Sequence, residues 1–178
     1  NIVVPSTPRD AYGLMRTALA TPEVTLFFED RMIADSETCT VEHMSVFQEE
    51  RVPMPFGEVR LCTHPMAPHL TVVTYGLMRQ VLEGLLWKHD LLEQVELLDL
   101  RTLHPLDIDT IYKSVAHTRK LLIVEPDVEF GGIGAEIAAQ LLEEDLSFTL
   151  VRLGGPREVI PASREGQARM MHSREQIL

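Results

Sequence analysis

Positive charge is scarce in this chain. Sixteen Lys and Arg stand against 27 Asp and Glu, a formal net charge of −11. Phosphate backbones and anionic lipid surfaces are held by basic faces, so neither nucleic acid nor a membrane is an expected partner. Acidity by itself names no partner and mainly favours solubility. Long apolar runs are missing too. No stretch approaches the roughly 18 apolar residues of a spanning helix. Cysteine is limited to Cys39 and Cys62, with no C-x-x-C. Two free thiols in a reducing compartment are expected, not a disulfide or a metal site. There is no phosphate-cradling P-loop, no G-x-S-x-G, and no His-x-x-x-His or mixed Cys/His ligand spacing. The first residue is Asn1 and no signal peptide is visible. The expectation is a piece of something longer, located in the cytoplasm or, in a eukaryote, the mitochondrial matrix.

What is present follows α/β order. Thr7 suits a helix N-cap, Pro8 the first turn and Asp10 the acid of a capping box. Ala11, Leu14, Met15 and Ala18 recur at i, i+3, i+4 and i+7, which predicts a helix with one apolar face. Thr21-Pro22 ends it, and 24–29 reads as a strand. Residues 31–55 are polar, without a clear period, and read as a linker. A second domain follows over 56–178. Its first strand, 58–63, alternates with Val59 and Leu61 on the apolar side. A more continuous strand follows at 70–75. Gly76 opens a helix with Met78, Val81, Leu82 and Leu85 on one face. Then come strand 95–100, helix 108–117, strand 121–124, helix 132–143 and strand 148–153. Helices between successive strands imply right-handed crossovers and a parallel sheet covered on both faces. The link between the first two strands is too short for a crossover helix, so the first strand is expected antiparallel. The predicted fold is a three-layer α/β/α sandwich. Its five-stranded sheet is mostly parallel with one antiparallel edge, preceded by a helix–strand remnant of an upstream domain (1–30).

Ligands of open α/β sheets sit beyond the carboxyl ends of the strands, where two loops lie. Loop 101–107 holds Arg101, His104 and Asp107. Asp107 has the position of an N-cap for the helix at Ile108, and His104 that of a turn residue before Pro105. The functional alternative sends Arg101 or His104 to a neighbouring subunit's active-site mouth. Loop 125–132 holds Glu125, Asp127 and Glu129 ahead of Gly131-Gly132. A helix dipole stabilises acids there. The late closing Glu of a Ca²⁺ loop is missing, so partner recognition is the better functional reading. Gly132-Ile133-Gly134 invites a dinucleotide reading, but the third small position is occupied by Ile137 and the turn lies late in the sheet. Close packing of helix on strand explains these glycines better. Trp87 and the methionines at helical spacing are expected in the core.

Three words then acquire meaning together: Asp99-Leu100-Arg101-Thr102-Leu103, Pro105-Leu106-Asp107, and Gly131-Gly132-Ile133-Gly134-Ala135-Glu136-Ile137-Ala138-Ala139. With them the chain resembles the C-terminal domain of the beta subunit of 2-oxo acid dehydrogenases, within the transketolase superfamily. Val3-Val4-Pro5-Ser6 and Phe27-Phe28-Glu29 resemble the end of the preceding pyrimidine-binding domain. The resemblance implies an enzyme that uses thiamine diphosphate and Mg²⁺ to decarboxylate a 2-oxo acid oxidatively and acylate a lipoyl group. The segments that hold that cofactor are not among the matching words, so no catalytic, cofactor-binding or metal residue is assigned and the chain alone is expected inactive. The resemblance also implies partners: a second beta subunit in a homodimer, the alpha subunit, and the lipoyl acyltransferase core. Candidate partner-binding residues are Arg101, His104, Glu125, Asp127 and Glu129. The chain departs from the family at Met32-Ile33-Ala34-Asp35, at Arg157, where an acid is common, and at Ala162-Ser163. The last weakens the docking surface that the resemblance implies. A transketolase or deoxyxylulose-phosphate synthase domain is the near alternative. A free-standing nucleotide-binding α/β module and a pure interaction module are the distant ones.

Overall fold

The computed structural model describes residues 1–30, 33, 53–159, 161–163 and 165–166. Most of the expected linker, with Cys39 and the departure at Met32–Asp35 apart from Ile33, lies outside these residues. Among the described residues, eight strands and four longer helices follow in chain order. They are β1 (Ile2–Val3), α1 (Pro8–Ala20), β2 (Leu26–Phe27), β3 (Arg60–Leu61), β4 (Leu70–Thr74) and α2 (Leu77–Lys88). Then come β5 (Val95–Asp99), β6 (Thr102–His104), α3 (Ile108–Thr118), β7 (Lys120–Val128), α4 (Ile133–Glu143) and β8 (Thr149–Gly155).

The main sheet has the order β3-β5-β4-β7-β8. Strands β5, β4, β7 and β8 run parallel, and β3 pairs antiparallel with β5. Two-residue alternation sends successive apolar side chains to opposite faces. Val73, Leu98, Leu121 and Ile123 pack with Ile111 and Val115 of α3 and Ile137 and Leu141 of α4. Val72, Leu97 and Val124 pack with Met78, Leu82 and Leu86 of α2. Both faces are thus covered, as a parallel sheet requires. This is the three-layer α/β/α fold with one antiparallel edge strand read from the sequence.

Four local expectations are corrected. The first edge strand reaches only Arg60–Leu61; Leu61 is 39% exposed, and Thr63, two residues on, is buried and donates to the Val95 carbonyl at 2.6 Å. The strand expected over 24–29 is confined to Leu26–Phe27. Residues 102–104, read as loop, form a strand against β1. Trp87 is 76% exposed, not core. It lies on the stripe of Gln80, Glu83 and Gly84, while the buried face of α2 is Met78, Leu82, Leu85 and Leu86.

The N-terminal helix–strand pair proves to be a β-α-β unit attached to the main domain. β1 pairs parallel with β2 on one side and antiparallel with β6 on the other. Thr7 caps α1 by accepting from the Asp10 amide at 3.1 Å. Asp10 reaches back to the cap, its Oδ2 accepting from the Thr7 hydroxyl at 2.6 Å. It is fully buried and faces the domain. Gly13 allows Met54 to lie across the helix, since a Cβ there would come within 2.6 Å of Met54 Cγ.

Candidate functional site

After β5 the chain jumps over β4 to form β7, so the sheet reverses direction between the carboxyl ends of β4 and β7. Such a switch point is where a doubly wound sheet usually opens a crevice for a ligand. Here the chain fills it. Glu125, at the end of the parallel stretch of β7, is 1% exposed. Its Oε1 accepts from the Gly134 amide at 3.1 Å and its Oε2 from Arg152 Nη2 of β8 at 3.1 Å. Helix α4 has no side-chain cap of its own, so this carboxylate supplies the anion that a helix N-terminus favours.

The glycines explain the fit. A Cβ on Gly132 would collide with the Glu125 carboxylate, and one on Gly134 would lie 2.7 Å from it and 2.9 Å from Ile123 Cγ2. The Gly-rich turn thus wraps an internal acid. Close helix–strand packing is borne out, and the place of a dinucleotide phosphate is taken. Tyr75, at the end of β4, is pushed well above the ordinary phenol range by burial, with the Glu125 and Asp127 carboxylates adding to it.

The first loop is closed by the N-terminal unit. Val4 donates its amide to the Arg101 carbonyl at 2.8 Å, and Ile2 and Val3 lie in register with His104 and Thr102. Ser6 Oγ donates to Asp99 Oδ1 at 2.7 Å. Asp10 Oδ1 stands 3.7 Å from Arg60 and 3.9 Å from Arg101. Burial pushes the Asp99 carboxyl up to about 7; the Ser6 hydrogen bond opposes the shift and the Asp10 charge adds to it.

The five residues proposed for partner contact are therefore split. Arg101 is half-buried, donating to the Glu58 carbonyl at 2.9 Å and leaning on Asp10. Glu125 is internal, so its burial corrects the expectation of a surface contact there. His104, Asp127 and Glu129 are exposed. Asp127 and Glu129 share a rim with Phe130, 69% exposed, over whose ring the Arg157 guanidinium sits at 4.3 Å. Asp107 caps α3, accepting from the Thr110 amide at 3.2 Å, and its other oxygen takes the Val59 amide at 2.9 Å. Cys62 is a free, half-buried thiol. Among the described residues no group of three or more His, Cys, Asp and Glu could hold a metal, and no helix is long and apolar enough to cross a membrane.

Sequence reasoning passed over Ser6, Asp10, Asp99 and Arg152 as site residues. Two carried a signal: Asp99 and Arg152 are charges inside otherwise apolar strands, and such charges need buried partners. Ser6 and Asp10 had none, since their partners lie 93 residues away in one case and in β3 and loop 101–107 in the other.

A profile of the transketolase C-terminal domain family matches residues 61–177. The pyruvate dehydrogenase E1 component subunit beta of Rickettsia bellii is 30% identical, covering 89% of this chain and 45% of that protein. The 3-methyl-2-oxobutanoate dehydrogenase subunit beta of Mycobacterium tuberculosis is 32% identical, covering 80% and 39%. The chain thus spans less than half the length of these relatives. A solved split-gene transketolase, an inactive beta4 tetramer, superposes with a TM-score of 0.72 at 16% identity, over 99% of this chain and 55% of that one. This last likeness is one of fold.

Proposed function

Because the chain belongs to the transketolase C-terminal domain family, we propose that it is the subunit-organising domain of a 2-oxo acid dehydrogenase beta subunit. The β1-α1-β2 unit is then the end of the preceding pyrimidine-binding domain. The complete enzyme decarboxylates pyruvate or a branched-chain 2-oxo acid with thiamine diphosphate and Mg²⁺ and passes the acyl group to lipoyl groups. The single observation that carries this reading is the closed carboxyl end of the sheet. The described residues do not fit the cofactor: the anion cradle at α4 holds Glu125 and Arg152, and the β5 end is covered by residues 4–10. A domain whose usual ligand crevice is filled by its own side chains contributes through its outer surfaces.

Those surfaces suit a second beta subunit, in a homodimer, and the alpha subunit. The exposed acids Asp127 and Glu129 suit a basic face such as an acyltransferase core could present. The setting is the cytoplasm or the mitochondrial matrix. The relatives in hand favour a dehydrogenase over a transketolase or deoxyxylulose-phosphate synthase, whose support is the fold alone. The filled cradle disfavours a nucleotide-binding module. Calorimetry of the chain with thiamine diphosphate and Mg²⁺ tests the reading. We expect no saturable heat and no 2-oxo acid turnover; saturable micromolar binding would refute it.

A further inference from the structure

Away from the closed crevice, an open cleft of ≈ 750 Å³ runs between the start of α1, the edge strand β3 and the outer face of α2. We propose that this cleft binds a small organic anion carrying a planar ring, its charged end on Arg60 and Arg79 and its ring on Trp87. The proposal stands apart from the family reading.

Five observations carry it. The volume lies within the ~300–1,000 Å³ range of small-molecule sites. The charge runs against the rest of the chain: in a protein of net charge −11, this cleft is lined by Arg9, Arg60 and Arg79 and by one acid, Glu83. One of these guanidinium groups is held in place: Arg79, its side chain 9% exposed at the cleft floor, donates Nη2 to Glu83 at 2.9 Å and Nε to Cys62 Sγ at 3.4 Å, and the Cys62 thiol also lies 3.8 Å from the Arg60 backbone carbonyl. The other is accessible: Arg60 has a side chain 35% exposed, and its nearest acid, Asp10, is 3.7 Å away and shared with Arg101. A fixed guanidinium beside an accessible one is suited to carboxylate or phosphate oxygens.

The other two observations concern the ring. Trp87 leaves 76% of its surface in solvent, one helical turn on from Glu83 along the stripe that begins at Gln80. Between them stands Gly84, in the middle of a helix, where glycine costs about 1 kcal/mol relative to alanine. Outside its own helix, nothing among the described residues lies within 4 Å of where its Cβ would be. Among these residues no packing contact and no turn asks for glycine there. What its bare backbone leaves is open space on the same wall as the indole, room for a flat group to approach. A guanidinium pair at one end and an uncovered indole at the other select a ligand with an anionic head and an aromatic body.

Trp87 is the chain's one tryptophan, so intrinsic fluorescence reports this cleft directly. The full chain is titrated with phenyl phosphate and with benzoate, against inorganic phosphate and phenol as half-ligands. We expect saturable quenching by one or both ring-bearing anions, the tighter one identifying the head group, and no saturation by either half-ligand over the same range. Arg60→Gln should weaken binding about tenfold, the loss of one charge-assisted hydrogen bond. Gly84→Leu should fill the wall and abolish binding while raising the thermal midpoint, because leucine favours the helix and meets no neighbour; this keeps the test independent of folding damage. Non-saturating quenching, phenol binding as well as phenyl phosphate, or identical curves for wild type and both variants would overturn the proposal.

Discussion

Two buried carboxylates show how the same residue class is accommodated in opposite ways. Glu125 is compensated by Arg152 and the Gly134 amide. Asp99 has one oxygen on Ser6 and the other, Oδ2, without a hydrogen-bond partner among the described residues. Burial therefore raises Asp99 from its ordinary 3.8 to about 7. Between those values the folded chain holds a proton that the unfolded chain has lost. The contribution of Asp99 is fully present below about pH 3.8 and is lost as pH rises through about 7. Asp99→Asn keeps the acceptor for Ser6 and removes the titration. In urea unfolding at pH 4 and pH 8, the variant should gain on wild type at the higher pH, by on the order of a few kcal/mol. A difference that is the same at both pH values would contradict this. At this scale Asp107 was legible, because an N-cap is a local preference. Asp99 was read as a letter of a motif and Glu125 as a surface acid for partner contact, but their burial depends on strands and helices distant in the chain.

At the scale of elements, caps, helix stripes and strand–helix order predicted helices α1 to α4, and the short link between the first two strands predicted the antiparallel edge. The limits of the strands were less visible: β2 and β3 are each two residues long, shorter than the apolar alternation around them. The β1-α1-β2 unit is the informative case. α1 was read from its cap and period, whereas β1 is two residues long and exists because β6 and β2 flank it. Leu14 is buried by this arrangement, and Met15 and Ala18 are half-buried. The unit is thus partly covered within the chain. Val24, Leu26 and Phe28 remain 83%, 54% and 55% exposed on and beside β2, whose outer edge meets no strand among the described residues. An apolar strand edge is a template for pairing. The chain should self-associate through it, as a dimer at high concentration. Light scattering over a wide dilution series should show dissociation, and Leu26→Lys should shift the equilibrium to monomer. A wild-type monomer at every concentration would refute self-association; a dimer indifferent to Leu26→Lys would move the interface to the α/β domain.

For the whole molecule, fold class followed from the strand–helix order, and family from three words that lie at the β5, α3 and α4 junctions. The closure of the sheet's carboxyl end was not legible. It needs residues 2–10 to meet residues 99–104, and Glu125 to meet Arg152, and no local pattern announces either meeting. That closure supports the central claim, that this domain acts by organising subunits and not by holding the cofactor. The most direct test is a three-part reconstitution. The chain is mixed with a 2-oxo acid dehydrogenase alpha subunit and with the upstream half of the beta subunit as a separate polypeptide. Thiamine diphosphate-dependent, 2-oxo acid-driven reduction of an artificial electron acceptor is then followed with and without the chain. The account predicts activity that requires the chain and a co-migrating assembly of all three parts. No association with either partner, and a rate unchanged by adding the chain, would contradict it.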